Sequence, residues 1–168
     1  GLGNAVEFSG IQNTLCRVGH KASLATTGSL SVQAWVHPNT TLQVPQAGIV
    51  AKGSGTFESF ALDVFNDRYR FFVRSAGFAA QFAISSTQTL RANAWAHVSG
   101  VYDAAGPSLA IFIDGVLSSS GTSAPGSRGN DTHELTIGNR QSGSFDYNLG
   151  FRGIVDEVHV ASVALSAS

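Results

Sequence analysis

The chain has 168 residues, 43% of them hydrophobic and 12% charged, which suits one folded domain around a single core and argues against intrinsic disorder. A formal net charge of -1 offers no basic surface of the kind that holds a phosphate backbone, so nucleic acid is not an expected partner. No apolar run is long enough to cross a bilayer, so membrane insertion is not expected either.

Hydrophobic and polar side chains alternate at the period of a β-strand along most of the chain, and helical periodicity is nearly absent. Gly, Ser, Asn and Pro separate these runs and predict turns. The predicted strands are, in chain order, Ala5–Phe8, Leu15–Val18, Leu30–His37, Gly48–Lys52, Phe57–Phe65, Arg68–Ser75, Gln81–Ser85, Ala94–Tyr102, Ser108–Ile113, Val116–Ser120, Glu134–Ile137 and Ile154–Ala161. Because a dozen short strands exceed one flat sheet, we predict an all-β fold of two antiparallel sheets in a jelly-roll sandwich, with residues 1–168 as a single domain.

Neither the cysteine content nor the start of the chain identifies a cellular compartment. Cys16 is the single cysteine, so no disulfide can form within the chain, and its alternating context predicts a small core-lining or edge residue. The absence of a signal peptide and of methionine is typical of an excised domain or a processed product.

The predicted hairpin around Asn66-Asp67 sorts its side chains onto two faces, because a two-residue turn fixes the register. One face carries only core-type side chains, namely Phe60, Leu62, Val64, Tyr69, Phe71 and Val73. The opposite face carries Asp63, Phe65, Arg70, Phe72 and Arg74, a mixture of charge and aromatic rings that we interpret as an exposed binding surface.

Three other segments contribute candidate binding residues. Alternation in the strand that starts at Leu30 directs Gln33, Trp35 and His37 outward. The Gly/Ser/Asn-rich loops Thr122–Thr132 and Gln141–Gly150 carry Arg128, Asn130, Asp131, Asp146, Tyr147 and Asn148 and are suited to rim a site. The strand that starts at Ala94 carries His97 and leads, after a Gly/Pro break and a second strand, to an Asp114-Gly115 hairpin turn.

The order and spacing of eight motifs carry a family resemblance over nearly the whole chain. The motifs are Val6-Glu7-Phe8-Ser9-Gly10, Leu30-Ser31-Val32-Gln33-Ala34-Trp35-Val36-His37-Pro38, Gly48-Ile49-Val50-Ala51-Lys52-Gly53, Tyr69-Arg70-Phe71-Phe72-Val73-Arg74, Trp95-Ala96-His97-Val98, Ile111-Phe112-Ile113-Asp114-Gly115, Leu135-Thr136-Ile137-Gly138 and Gly153-Ile154-Val155-Asp156-Glu157-Val158. Together they resemble the laminin G-like, concanavalin A-like jelly-roll superfamily, and its bacterial "three" subgroup in particular. The resemblance implies a concave and a convex sheet, closed by pairing of the terminal strands. It also implies a secreted or cell-surface location and binding of glycans or proteins.

The same resemblance implies a structural calcium ion. Asp156 occupies the position where relatives commonly bind Ca²⁺ against the opening strand, with Glu7 and the carbonyl groups of Ser9 and Gly10 as co-ligands. The sequence departs from the family where aspartates usually follow the opening motif, since it reads Phe8-Ser9-Gly10 here. The alternative is that Asp156 caps a turn or pairs with Arg152.

The sequence shows no pattern that predicts catalysis. It has no Glu-x-Asp-x-x-Glu run of the kind found in glycoside-hydrolysing jelly rolls, and no Gly-x-Ser-x-Gly elbow. A polysaccharide lyase would have to draw on Arg70, Arg74 and His97. We therefore predict that the protein is not an enzyme.

Sugar binding needs aromatic rings for the C–H faces and planar polar groups for the hydroxyl groups. The candidate rings are Trp35, Phe72 and Tyr147, and the candidate polar partners are His37, Asp63, Arg70, Arg74, His97, Arg128 and Asn148. Asp63 and Arg70 have the alternative of a solvated cross-strand ion pair, and Trp95 is expected in the core. The sequence thus predicts a non-catalytic carbohydrate-binding module, with an extracellular protein-binding or spacer domain as the alternative.

Overall fold

The structure is a computed structural model that describes residues 4–141, 143 and 146–165. Within these residues it has twelve strands: β1 Val6–Ser9, β2 Cys16–Val18, β3 Leu30–Pro38, β4 Ala47–Lys52, β5 Phe60–Phe65, β6 Arg68–Arg74, β7 Gln81–Thr89, β8 Ala96–Asp103, β9 Ser108–Ile113, β10 Val116–Gly121, β11 Leu135–Ile137 and β12 Arg152–Ala161. Short 3-10 turns occur at Ala22–Leu24, Gly55–Phe57 and Ala76–Phe78. No helix in the described ranges has the length and apolarity to span a membrane.

The strands form two antiparallel sheets of six, which confirms the predicted all-β sandwich. Sheet A has the order β1-β12-β3-β8-β9-β10, and sheet B has the order β2-β11-β4-β5-β6-β7. β1 pairs with β12 from Val6 opposite Val155 to Ser9 opposite Arg152, so the terminal strands pair with each other at one edge of sheet A, as expected.

The inner faces of the two sheets meet in one large hydrophobic core. Sheet A contributes fully buried side chains such as Val36 and Val98, and sheet B contributes Leu62 and Phe71. A second, small cluster of Ala51, Ala61 and Phe72 lies on the other face of sheet B. These three residues are cross-strand neighbours on β4, β5 and β6, so both faces of sheet B are partly buried.

The two predicted hairpin turns have the expected geometry. Asn66 and Asp67 have φ values of 50° and 56°, and they place Phe65 opposite Arg68 and Asp63 opposite Arg70. Asp114 and Gly115 have φ values of 52° and 77°. The register predicted for the Asn66-Asp67 hairpin is therefore confirmed.

Candidate functional site

Four aromatic side chains form a compact group on the solvent face of sheet A. Trp35 on β3 lies opposite His97 on β8, with ring centroids 5.3 Å apart and a 55° angle between the ring planes. Two residues along, His37 packs against Trp95 at 5.2 Å and 56°. Side chains two apart on a strand share a face, so the four rings alternate Trp and His around a square. We call Trp35, His37, Trp95 and His97 the Trp–His surface.

Both indole rings of the Trp–His surface are accessible. Trp35 is 41% exposed, which confirms its predicted outward direction, and Trp95 is 42% exposed. The expectation that Trp95 is a core residue is therefore wrong. Ala96 and Val98 are the inward residues of β8, and alternation directs Trp95 and His97 to the opposite face.

A cleft of about 640 Å³ lies beside Trp95 at one end of the sandwich. Its walls include Tyr69, Gln88, Arg91, Asp114 and Val116. Burial, and then the charge of Asp114, raises the pKa of Tyr69, so its phenol stays protonated over the physiological pH range. The cleft thus combines an exposed indole edge with a phenol, an amide, a guanidinium and a carboxylate.

The Trp–His surface is held in place by neighbouring strands. The main-chain N–H group of His97 donates to Asp114 Oδ1 at 2.8 Å, and the N–H group of Asp114 donates to the His97 carbonyl at 2.8 Å. On the other side of β3, strand β12 pairs with it through the backbone, with Asp156 opposite Trp35 and Ile154 opposite His37. These strand contacts fix both ring pairs on a rigid sheet, which favours a preformed binding surface.

The predicted binding surface on the β5–β6 hairpin is buried. Asp63 and Phe72 are 0% exposed and Arg70 is 8% exposed. The cover is Arg140, from the segment after β11, whose guanidinium carbon lies 5.0 Å from the centre of the Phe72 ring. The expectation that Asp63, Arg70 and Phe72 face solvent is therefore wrong, because a distant segment folds over them.

Arg140 ties two carboxylates together. Its Nη1 donates to Asp63 Oδ2 at 2.5 Å, its Nε donates to Glu58 Oε1 at 2.9 Å, and its Nη2 contacts Glu58 Oε2. Arg70 makes two further bonds to Asp63, at 2.9 and 2.6 Å. The Asp63–Arg70 pair thus exists as the sequence analysis allowed, but in a buried network of charges.

The approach of Glu58 and Asp63 to one guanidinium was not predicted from the sequence. Burial raises the pKa of Glu58, and the charge of Arg140 opposes that shift. Burial lowers the pKa of Arg140, but the charges of Glu58 and then Asp63 more than reverse this, so the guanidinium stays charged. Both carboxylates are fully buried and hydrogen-bonded to arginine, so neither is accessible to a substrate.

The predicted loop residues do not join the Trp–His surface. Arg128 is 1% exposed and donates to Ser59 Oγ at 2.7 Å and Thr26 Oγ1 at 2.8 Å, so it connects loops. Tyr147 is 8% exposed, and its hydroxyl group donates to Glu134 Oε1 at 2.5 Å. Asn148 is exposed, and Arg74 lies at a separate cavity described below.

The four predicted calcium ligands do not converge. Glu7 lies opposite Ile154 and Ser9 opposite Arg152, so Asp156 is four residues, or about 13 Å, from the level of Ser9 along β12. A calcium ion holds its oxygen ligands at about 2.3–2.6 Å, which this spread does not allow.

Three of these four groups have other contacts. Asp156 Oδ1 accepts a bond from the Glu157 N–H group at 2.8 Å, as in the alternative that Asp156 caps a turn. Glu7 Oε1 accepts a bond from Asn39 Nδ2 at 2.8 Å. The Gly10 carbonyl faces Gly150, where an added Cβ would lie 2.7 Å from its oxygen. The four groups therefore do not fit one calcium site.

From this arrangement we expect that these four groups hold no calcium ion, so any effect of millimolar calcium chloride relative to EDTA on the melting temperature should be the same in the wild type and in Asp156→Ala. Thermal melts of the wild type and of Asp156→Ala measure the effect. A calcium-dependent rise in the wild type that is missing in Asp156→Ala would contradict this expectation and restore the calcium prediction.

Comparisons with known proteins agree with this architecture. A family model described as the concanavalin A-like lectin/glucanases superfamily matches residues 11–168. A search of curated proteins found no match.

Several solved structures share the fold. A heptameric SAP-like pentraxin from Limulus polyphemus has a TM-score of 0.68 at 18% identity, over 96% of this chain and 76% of that chain. Domain 4 of a GH43 extracellular arabinanase from Geobacillus stearothermophilus, in complex with arabinotriose, has a TM-score of 0.73 at 16% identity, over 97% of this chain and 72% of that chain. The CBM40 domain of a Ruminococcus gnavus IT-sialidase, bound to α2,3-sialyllactose, has a TM-score of 0.65 at 13% identity, over 94% of both chains. The family match covers most of the sequence, and the chain therefore belongs to the laminin G-like family of the concanavalin A-like lectin/glucanases superfamily.

Proposed function

We propose that this protein is a non-catalytic carbohydrate-binding module that works outside the cell, and that its glycan binds on the Trp–His surface and in the adjoining cleft. The observation that carries the proposal is the exposure of two indole rings, 41% for Trp35 and 42% for Trp95, on one rigid face beside the 640 Å³ cleft. Exposed aromatic rings grouped with polar side chains at a cleft are typical of ligand sites.

The proposed mechanism is stacking and hydrogen bonding, without a covalent step. The C–H faces of sugar rings would lie on Trp35 and Trp95, and the hydroxyl groups would bond to Arg91, Gln88 and Asp114. The arabinotriose and sialyllactose complexes of structural neighbours support a glycan as the ligand class. The extracellular arabinanase supports the location outside the cell.

We expect Trp35→Ala and Trp95→Ala each to weaken glycan binding at least about 30-fold, because a central aromatic anchor contributes about 2 kcal/mol or more. Affinity gel electrophoresis against arabinan, xylan and other neutral polysaccharides identifies a retained glycan, and titration then measures the two variants. Phe57→Ala is the matched control, since Phe57 is 47% exposed and packs edge-on against Phe78, outside the Trp–His surface.

Unchanged retention of both tryptophan variants would disprove this site, provided that their melting temperatures match the wild type. Equal loss in Phe57→Ala would also contradict the proposal, because it would indicate a non-specific effect of removing an exposed ring. Release of reducing sugars from the retained glycan would contradict the non-catalytic assignment.

A further inference from the structure

A second cavity, of about 180 Å³, lies on the outer face of sheet B, on the other side of the sandwich from the Trp–His surface. Its lining includes Gln46, Arg74, Arg140, Gln141 and Leu149. The volume corresponds to about six water molecules at liquid density, which suits one small polar group or part of one sugar ring.

Two buried polar atoms at this cavity have no hydrogen-bond partner within the described residues. They are Nε of Arg74, which is a donor, and Oε1 of Gln141, which is an acceptor. Buried polar atoms are nearly always hydrogen-bonded, so a donor and an acceptor left open at one cavity indicate that a ligand with both kinds of group completes the site.

Five charged side chains are coupled to one another beside the cavity. Glu58 and Asp63 supply two negative charges, whereas Arg70, Arg74 and Arg140 supply three positive ones. The printed ion pairs join the two carboxylates to Arg70 and Arg140, and Arg74 has none within 4 Å among the described residues. Arg74 is therefore the arginine of this group that makes no ion pair within the described residues.

The surroundings of Arg74 also disfavour its charged form and lower its pKa. Burial is the largest cause that lowers its pKa, and the charges of Arg140 and Arg70 lower it further, although Glu58 acts in the opposite direction. Arginine remains charged in proteins despite such a shift. An anion in the cavity would relieve this repulsion and supply the partner that Arg74 Nε lacks.

We propose that this cavity binds the carboxylate of an acidic sugar residue, with Arg74 Nε donating to the carboxylate and Gln141 Oε1 accepting from a hydroxyl group of the same sugar. The inference extends the proposed glycan binding to a second, independent site on the opposite sheet. It depends on the proposed function only for the sugar class, because the Trp–His surface takes no part in it.

Isothermal titration with galacturonate, galactose and acetate tests the proposal at low salt. We expect galacturonate to bind at least ten times more tightly than galactose, because only the acid pairs with Arg74, and more tightly than acetate, because only the sugar offers a hydroxyl group to Gln141. Arg74→Gln removes the charge and Gln141→Leu removes the acceptor, and each should weaken galacturonate binding at least tenfold. Arg152→Gln, which removes an exposed guanidinium on sheet A, is the matched control and should leave it unchanged.

Three results would overturn the inference. Equal affinity for galactose would show that the charge of Arg74 is not used. Equal affinity for acetate would show a simple anion site without sugar recognition, and no saturable binding of galacturonate would show no site. Trp95→Ala separates the two proposals, since it should remove neutral glycan binding while galacturonate binding persists.

Discussion

Arg140→Met is expected to lower the free energy of unfolding by about 3–5 kcal/mol, because it leaves the buried Glu58 carboxylate without its cation and leaves Asp63 with Arg70 alone. Arg140 contacts both Glu58 and Asp63, each 0% exposed, and its guanidinium group also covers the Phe72 ring. Methionine fills much of the same volume, so the loss measures the charge more than a cavity. Urea denaturation followed by circular dichroism gives the value.

The matched control is Arg17→Met, which removes an ion pair with Glu134 at 2.8 Å from a side chain that is 51% exposed. An exposed pair of this kind contributes at most about 1 kcal/mol, so the control should remain close to the wild type. Adding Glu58→Gln to Arg140→Met should recover part of the lost free energy of unfolding, since it removes the buried carboxylate charge that Arg140→Met leaves without an ion pair. If Arg140→Met were no more destabilising than Arg17→Met, the network would not contribute to stability as described.

Gly138→Ala is the second substitution with a large expected effect, about 2–5 kcal/mol of lost stability. Gly138 has a φ of +81°, which costs an L-residue about 1–2 kcal/mol. An added Cβ would also overlap the Phe8 ring, and overpacking of a core adds about 1–3 kcal/mol. Phe8 belongs to β1 and is 2% exposed, so the substitution would disturb packing between sheet A and the segment after β11.

Gly115→Ala separates these two causes, because Gly115 has a φ of +77° and an added Cβ there meets no atom within 4 Å. It should cost only the conformational part, about 1–2 kcal/mol. Phe8→Leu should make the further loss caused by Gly138→Ala smaller than in the wild type, since the two residues touch. Equal losses in Gly138→Ala and Gly115→Ala would refute the steric contribution.

The hairpin around Asn66-Asp67 shows which structural features can be predicted from the sequence and which cannot. A two-residue turn fixes the register, so the pairing of Asp63 with Arg70 followed from the sequence and is confirmed. The burial of that pair did not follow, because it depends on Arg140, which is 77 residues from Asp63 along the chain. Alternation identifies which side chains share a face, but it does not identify what covers the face.

Trp95 shows the opposite case, in which a local signal was available. Its neighbours Ala96 and Val98 are small and apolar, and their alternation with Trp95 and His97 predicts an outward indole. The expectation of a core residue rested instead on its place at the start of a strand close to Leu90, which is buried, whereas Trp95 is 42% exposed. The contact between the His37 and Trp95 rings could not be predicted in the same way, because it depends on the register between β3 and β8. The lengths of the two strands do not determine that register.

The alternating Trp–His square also has an optical consequence. Trp35 and Trp95 are the two tryptophans of the chain, and each touches a histidine ring. Indole fluorescence from this protein therefore originates entirely at one outer face of sheet A, with a histidine ring beside each indole. The intrinsic emission serves as a label-free indicator of events at that face, and it does not report on the core that holds the two sheets together.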